Sequence, residues 1–136
     1  MMKSKWNVLG LLTAALLMFG VVACGESKPQ VTAANLGTSV KASRIQEPKT
    51  TFKPSDHMIH LIVDVGNALP GTTVGAKWYD VSNGNRLLFE TDAALDPFNT
   101  SADFALTSTN DWAIGNYQVA IYLQGAKERT LDFVVK

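Results

Sequence analysis

The sequence predicts an all-β domain, built as an antiparallel sandwich of seven strands, and three observations support this. From Met58 onward, apolar and polar residues alternate in short runs, which is the period of a half-buried strand. Turn signals such as Pro70-Gly71 and Asn83-Gly84 separate the runs. No amphipathic helix pattern is present after residue 37. Many short strands with turns between them are typical of a sandwich.

The clearest strand is Tyr117–Leu123, which we interpret as central. Its odd-numbered residues are an apolar set that alternates with Gln118, Ala120 and Tyr122, and Gly115 and Gln124-Gly125 provide turns at its two ends. The predicted strands are Thr38–Ile45 (an edge), Met58–Val65, Thr73–Val81, Arg86–Thr91, Ala102–Thr107, Tyr117–Leu123 and Arg129–Lys136. The odd positions of Met58–Val65 are predicted to face the core.

The order of the core positions resembles that of immunoglobulin-like and fibronectin-III-like domains. Such a domain has a core position on its second strand, a tryptophan on its third and another core position on its sixth. Leu61 or Val63, then Trp78, then Val119 fit this order, and Tyr117 has the spacing of a tyrosine corner. The segment 112–125 also resembles a motif of such domains in bacterial exported proteins. The resemblance implies a disulfide-free immunoglobulin-like module over residues 38–136.

The first residues have the pattern of a secretory signal. Residues 1–7 are polar and contain Lys3 and Lys5, whereas residues 8–22 are almost wholly apolar. This apolar run is short for a membrane span, which needs roughly 17–25 residues. An uncleaved anchor helix is the alternative.

The signal-like segment ends in Val21-Val22-Ala23-Cys24, which resembles the lipobox of bacterial lipoproteins. That family implies cleavage between Ala23 and Cys24 and a diacylglycerol on the Cys24 thiol. The new amino terminus is often acylated as well, and palmitate is the expected acyl group. Two or more acyl chains give stable anchoring. Gly25 in place of aspartate implies sorting to the outer membrane if the source is a diderm bacterium.

Three regions follow from these patterns. Residues 1–23 are predicted to be a lipoprotein signal peptide, residues 24–37 a lipidated amino terminus with a flexible tether, and residues 38–136 the folded domain. Without the signal peptide the net charge is −2, so no basic surface for nucleic acid is expected. The single cysteine allows no intramolecular disulfide.

No catalytic or metal-binding motif stands out, and we expect no catalytic residue, metal or cofactor. His57 and His60, three positions apart, would diverge on a strand. A hydrolase would have to use acidic residues in or near loops, where such residues usually form turns. These acidic residues are Asp92, Asp96, Asp103 and Asp111.

One surface is predicted to be a candidate interaction face. If the third, sixth and seventh strands are neighbours, their outward residues form a face with two tyrosines, aliphatic side chains and few charges. These residues are Lys77, Tyr79, Val81, Gln118, Ala120, Tyr122, Asp132 and Val134. The alternative is an ordinary solvated sheet surface, because tyrosine and β-branched residues favour strands.

The sequence therefore predicts a non-catalytic, lipid-anchored extracytoplasmic module of a bacterial envelope. It would bind an envelope protein or polymer, or have a structural role. Its partners would be the membrane, through acylated Cys24, an envelope protein or polysaccharide, and through weak self-association a second copy. Carbohydrate binding through exposed aromatic residues and an envelope hydrolase using loop carboxylates are the alternatives.

Overall fold

The computed structural model describes residues 28–136, and the predicted signal peptide, the lipobox and Cys24 lie outside this range. The strands are β1 (Gln30–Gly37), β2 (Val40–Lys41), β3 (Arg44–Ile45), β4 (Thr51–Phe52), β5 (Met58–Gly66), β6 (Thr73–Asp80), β7 (Arg86–Ala94), β8 (Ser101–Thr107), β9 (Gly115–Leu123) and β10 (Ala126–Val135). A single 3₁₀ turn, Val81–Asn83, is the only helical element among these residues, and none of their helices is long and apolar enough to cross a membrane.

Two sheets enclose the core. The first has the order β1-β5-β8, and the second has the order β4-β10-β9-β6-β7. All pairings within them are antiparallel except that between β10 and β4, which is parallel. The strands β2 and β3 form a separate small hairpin. Buried side chains from both sheets form one cluster, so the architecture is a β-sandwich.

The predicted alternation explains how β5 and β9 enter this core. Ile59, Leu61 and Val63 have no exposed surface, and Val119 and Ile121 on β9 are equally buried. Residues two apart point to the same side of a strand, and here that side faces the opposite sheet. The hydrophobic effect on these alternating positions therefore holds the two sheets together.

An aromatic cluster lies at the centre of the core. The fully buried Trp78 ring meets the Phe133 ring edge-on at 6.0 Å, and Phe52 meets the same ring edge-on at 5.7 Å. Tyr117 stacks on Phe133 at 5.3 Å. Among the described residues, only the Trp78 indole N–H is fully buried without a hydrogen-bond acceptor. Trp78 is therefore held by packing alone.

Tyr117 forms the predicted tyrosine corner. Its ring is buried, and its hydroxyl donates a hydrogen bond to the Ala113 carbonyl oxygen at 2.6 Å. Burial raises the pKa of Tyr117 above its ordinary value, the nearby Asp80 carboxylate raises it further, and Arg86 partly offsets both. The neutral phenol is therefore the form that the folded state prefers.

We expect the contribution of Tyr117 to stability to fall in alkaline solution. Because its pKa is raised on folding, this stabilisation is complete below about pH 10, the ordinary tyrosine pKa, and is lost as the pH rises through the folded pKa. Replacing Tyr117 with phenylalanine should cost about 1–3 kcal/mol at pH 7, since the Ala113 carbonyl loses its donor. Urea denaturation from pH 7 to pH 11 should show that the free energies of unfolding of the wild-type protein and the variant become more similar as the pH rises. A difference that does not change with pH would contradict the raised pKa of Tyr117.

Residues 30–37 correct the predicted tether. They form β1, which pairs with β5 along its whole length and buries Leu36. The folded domain therefore begins before residue 38. The sequence pattern is weak here because the inward positions include the small residue Ala34, and the register with β5 shifts between Val31 and Ala33.

The predicted first strand, Thr38–Ile45, is also wrong. The chain reverses within it, so that Val40 pairs with Ile45 in the β2–β3 hairpin. Ala42 and Ser43 at the turn have positive φ values, 52° and 61° respectively. That is the geometry of a tight two-residue turn, but neither residue type signals it in the sequence.

The other six predicted strands are present with small changes in length. The third ends at Asp80 instead of Val81, the fourth continues to Ala94, and the last begins at Ala126. The predicted turn at Asn83-Gly84 is confirmed, with Gly84 in the left-handed region at φ 70°. The extension of β7 matters for the site, because it places Asp92, which was predicted to lie in or near a loop, within the sheet.

Candidate ligand-binding groove

The predicted neighbourhood of the third, sixth and seventh strands is confirmed. They are β6, β9 and β10, and they lie side by side in the five-stranded sheet. Tyr79 on β6 lies opposite Gln118 on β9, which in turn lies opposite Asp132 on β10. The Gln118 side-chain amide donates a hydrogen bond to an Asp132 carboxylate oxygen at 2.9 Å. Tyr79, Gln118 and Asp132 of the predicted interaction face therefore lie in one row across the sheet.

Two members of the predicted face differ from expectation. Val81 is not on a strand, because the chain turns into the 3₁₀ helix after Asp80. Ala120 is 1% exposed, since its short side chain lies between the longer side chains of Lys77 and Thr130, its partners on the two adjacent strands. The available surface is therefore divided, with Tyr79 and Tyr122 toward opposite ends.

A groove of about 500 Å³ lies at the Tyr122 end of this face. It runs between β6, β7 and the end of β9, and its lining combines hydroxyl, ammonium, carboxylate and aromatic groups. The lining residues are Thr73, Gly75, Ala76, Lys77, Glu90, Thr91, Asp92, Tyr122 and Gly125. A concave site with a few convergent polar groups is the usual form of a ligand site.

Gly75 forms the floor of the groove. It lies opposite Tyr122 on one neighbouring strand and opposite Asp92 on the other. A Cβ atom at this position would come within 2.5 Å of Asp92 Oδ1 and 3.5 Å of Tyr122 Cβ. Because glycine has no side chain, the Asp92 carboxylate lies over the floor of the sheet instead of pointing away from it.

Lys77 is fixed between a negative and an aromatic group. Its Nζ atom lies 3.7 Å from Glu90 Oε2 and 4.8 Å from the centre of the Tyr122 ring. An exposed ion pair contributes little to stability, but two contacts on one ammonium restrict where it can point. With Glu90 and Asp92 against one lysine, the groove has a formal charge of −1.

The sequence prediction missed Gly75 and Glu90, and it placed Asp92 in or near a loop. The available signal was Gly75, since a glycine inside a strand pattern often marks a close approach of another group. Glu90 and Asp92 were not recognised because the predicted interaction face included β6, β9 and β10 but not β7. Their pairing with Lys77 and Gly75 depends on sheet register.

The two histidines each pair with an aspartate. His57 Nε2 lies 2.8 Å from Asp111 Oδ1, and His60 Nδ1 lies 3.3 Å from Asp103 Oδ1. Within residues 28–136, no group of three His, Cys, Asp or Glu side chains could hold a metal ion. Each histidine thus has a local structural contact.

The His57–Asp111 contact is one of several contacts that join two loops, one before β5 and one before β9. The Trp112 amide donates to the Pro54 carbonyl oxygen at 3.0 Å, and the Trp112 indole N–H donates to the Asp56 carbonyl oxygen at 2.5 Å. The Trp112 ring also meets the Tyr117 ring edge-on at 6.5 Å. Trp112 therefore closes one end of the core.

The four acidic residues considered for hydrolysis have separate roles. Asp103 and Asp111 face the histidines, whereas Asp96 accepts a hydrogen bond from the Phe98 amide within its own loop. Asp92 lies in the groove on the other sheet from Asp103. Only Asp92 belongs to the groove.

A solved immunoglobulin-like protein from Pseudomonas aeruginosa resembles this chain in structure. The TM-score is 0.60 at 12% sequence identity, and the match covers 81% of this chain and 98% of that chain. The fold is immunoglobulin-like. At this identity the likeness concerns the fold alone, and the disulfide-free core around Trp78 and the tyrosine corner at Tyr117 agree with it.

Two other solved structures are similar over most of this chain. They are the Pseudomonas fluorescens alkylpurine DNA glycosylase AlkC bound to DNA containing an abasic site analog, and a family 76 glycoside hydrolase from Bacteroides thetaiotaomicron. For AlkC the TM-score is 0.49 at 11% identity, over 82% of this chain and 31% of that chain. For the hydrolase it is 0.40 at 14% identity, over 66% and 19%. At TM-scores below 0.5 neither likeness bears on the function of this immunoglobulin-like chain.

Comparison by sequence identifies no similar family or protein. No protein-family model matches the chain, and no curated protein is similar enough in sequence to count as a relative.

Proposed function

We propose that this protein is a lipid-anchored, extracytoplasmic binding module of a bacterial envelope, without catalytic activity of its own. The lipobox-like sequence Val21–Cys24 supports the anchor and the location. The groove over Gly75 supports the binding role, and it is the observation on which the proposal chiefly rests. The outer membrane is the proposed location in a diderm bacterium, because Gly25 follows Cys24.

The groove chemistry favours a saccharide as the ligand over a protein segment. Carboxylates at Glu90 and Asp92 accept hydrogen bonds, the Lys77 ammonium donates them, and Thr73 can do both. A neutral polyhydroxylated molecule can use all of these groups at once. The formal charge of −1 disfavours an anionic ligand, and the Tyr122 ring adds an apolar surface. We therefore propose a neutral envelope polysaccharide as the ligand class.

The positions of the carboxylates support the non-catalytic part of the proposal. Glycoside hydrolysis uses two carboxyl groups that flank the scissile bond, roughly 5–9.5 Å apart. Glu90 and Asp92 instead lie two residues apart on the single strand β7 and belong to one wall of the groove, so they would not flank a bound saccharide.

Replacing Tyr122 with alanine is expected to weaken saccharide binding by about tenfold or more, since it removes the aromatic wall of the groove. Tyr79→Ala is the matched control. It removes a tyrosine from the same face of the same sheet, but Tyr79 does not line the groove. Binding to polysaccharides extracted from the envelope of the source bacterium can be measured by affinity gel electrophoresis, with melting temperatures recorded for each variant.

Equal retardation of the wild-type protein and the Tyr122→Ala variant in every polysaccharide gel would contradict the saccharide proposal. Equal weakening by Tyr79→Ala and Tyr122→Ala would contradict the groove and favour the wider tyrosine face. A third variant, Gly75→Val, fills the floor from below and should reduce binding without removing any polar group of the groove.

A further inference from the structure

One end of the sandwich presents apolar side chains to solvent, and we call it the Phe98 end. It is formed by three connections between strands, residues 67–72, 95–100 and 124–125. Phe98 is 96% exposed and Leu69 is 68% exposed. Asp96 is the only charged residue in the three connections. Scattered apolar residues are normal on a surface, whereas apolar residues grouped at one place are typical of a contact site.

The loop 95–100 holds Phe98 in its exposed position. Asp96 Oδ1 accepts a hydrogen bond from the Phe98 amide at 2.9 Å, and the Asp96 carbonyl oxygen accepts one from the Asn99 amide at 3.4 Å. Asn99 Oδ1 in turn accepts a hydrogen bond from the Ser101 amide at 3.0 Å. The backbone is thus fixed on both sides of a phenylalanine that stands in water, which the hydrophobic effect disfavours until the ring is covered.

The loop before β6 presents Leu69 in a similar way. The Thr72 amide donates a hydrogen bond to the Leu69 carbonyl oxygen at 3.0 Å, and Gly71 between them has a positive φ of 87°, as in a tight turn. The Gly71 amide donates to the Leu95 carbonyl oxygen at 2.9 Å, and the Leu95 amide donates to the Thr72 carbonyl oxygen at 2.8 Å. Leu95 begins the loop of Phe98, so one hydrogen-bonded unit presents both exposed side chains.

The chain enters the domain at this same end. Gln30, the first residue of β1, pairs with Gly66, the last residue of β5, and the loop of Leu69 follows directly. Residues 24–29 begin with the proposed lipidation site and can span at most about 20 Å when fully extended. The strand β5 has nine residues and is therefore about 30 Å long. If the opposite end stood on the membrane, Gln30 would be farther from the bilayer than the anchored segment can reach.

The opposite end of the sandwich also has an exposed apolar side chain. Ile114 is 72% exposed and directly precedes β9, whose other end leads into the connection 124–125. Ile114 therefore lies one strand length away from the Phe98 end. It is similar to Leu69 in size and exposure, but the anchored segment does not bring it to the bilayer. This makes it the internal comparison for any role of Phe98.

The charges around the Phe98 end nearly cancel. The charged residues in it and next to it in sequence are Lys28, Asp96, Lys127, Glu128 and Arg129. Their formal sum is +1. Attraction to anionic lipids requires a cluster of lysine and arginine residues, so any contact of this end with lipid must depend mainly on its apolar side chains.

We propose that the Phe98 end rests on the membrane surface, with Phe98 and Leu69 inserted between the lipid headgroups. The contact rests on the proposed lipid anchor, which holds this end beside the bilayer. Because the anchor makes insertion an intramolecular step, even two apolar side chains meet the lipid at a high effective concentration. The groove stays accessible, since Lys77 and Glu90 line it on the face of the sheet and not at the strand ends.

A fluorescent label near Phe98 tests this contact in the full-length acylated protein. Thr100→Cys provides an exposed thiol in the loop of Phe98 and leaves both apolar side chains in place, while Cys24 is blocked by its lipid. The thiol is labelled with nitrobenzoxadiazole, and the protein is inserted into phosphatidylcholine vesicles with or without a nitroxide on the lipid headgroup. Ala113→Cys with the same label is the matched control, because Ala113 is exposed beside Ile114.

The label at position 100 should be quenched severalfold more by the nitroxide lipid than the label at position 113. Equal quenching at the two positions, or none at position 100, would overturn the proposal. The mass of the purified protein separates this result from the anchor. A protein without acyl chains would refute the anchor and the contact together, whereas an acylated protein that is not quenched at position 100 would refute the contact alone.

Removal of the apolar side chains provides an independent measurement. Adding Phe98→Ser to the protein labelled at position 100 should reduce the quenching severalfold, whereas Ile114→Ser should leave it unchanged. Circular dichroism confirms that each variant is folded. Quenching that Phe98→Ser does not reduce, or that requires added phosphatidylglycerol, would contradict apolar insertion. A blue shift of the label in native envelope membranes without quenching in pure lipid vesicles would assign this end to a protein partner and overturn the proposal.

Discussion

Replacement of Trp78 with alanine is expected to lower the free energy of unfolding by about 3–5 kcal/mol. The side chain is fully buried and is the largest in the core, so its removal leaves a cavity next to Phe133 that the two sheets cannot close. A domain of this size has about 5–15 kcal/mol of stability in total. The variant should therefore unfold at much lower urea concentration, as followed by circular dichroism.

Trp78→Phe is the matched variant for this experiment. It retains a ring beside Phe133 and removes an indole N–H that has no acceptor in the described structure. Trp78→Phe should lower the free energy of unfolding clearly less than Trp78→Ala does, because a ring remains in the core and no hydrogen bond is broken. A near-unchanged melting temperature for Trp78→Ala would show that the tryptophan does not support the core.

Replacement of Cys24 with serine is expected to have the largest effect on location. If the lipobox resemblance is correct, the serine hydroxyl receives no diacylglycerol, and the protein should move from the membrane fraction to the soluble fraction or remain as an unprocessed precursor. Growth with radiolabelled palmitate, followed by fractionation and autoradiography, measures both labelling and location. Two acyl chains give stable anchoring, so the change should be nearly complete.

Ser27→Ala is the control, since it changes a neighbouring hydroxyl residue and leaves Cys24 in place. It should be labelled and retained like the wild-type protein. Undiminished labelling of Cys24→Ser would refute the lipoprotein proposal. That result would leave the groove untouched, because the groove does not depend on the anchor.

Much of the fold could be predicted because its strands alternate strictly. The period of two in β5 and β9 identified the buried positions, and the spacing of Tyr117 and Val119 identified a tyrosine corner that the Ala113 contact confirms. Both signals are local, since burial of one face of a strand produces an alternation of apolar and polar residues within a few positions. The adjacency of β6, β9 and β10 followed from the resemblance to a known architecture.

The missed features depend on contacts between distant segments. The strand β1 is stabilised by β5 more than 20 residues later, and its own residues are too small and polar to signal it. The turn at Ala42-Ser43 needs two positive φ angles in residue types that rarely adopt them. The groove needs Gly75, Asp92 and Tyr122 in one row across three strands, and no local pattern states that register.

Because Glu90 and Asp92 lie on β7, which pairs only with β6, one wall of the proposed groove belongs to an edge strand. Elements with few neighbours open locally at a lower free energy than the core strands. A ligand that connects this wall to Tyr122 on β9 would hold β7 in place, and the amides of β7 would then exchange their hydrogens more slowly in the bound protein than in the free one.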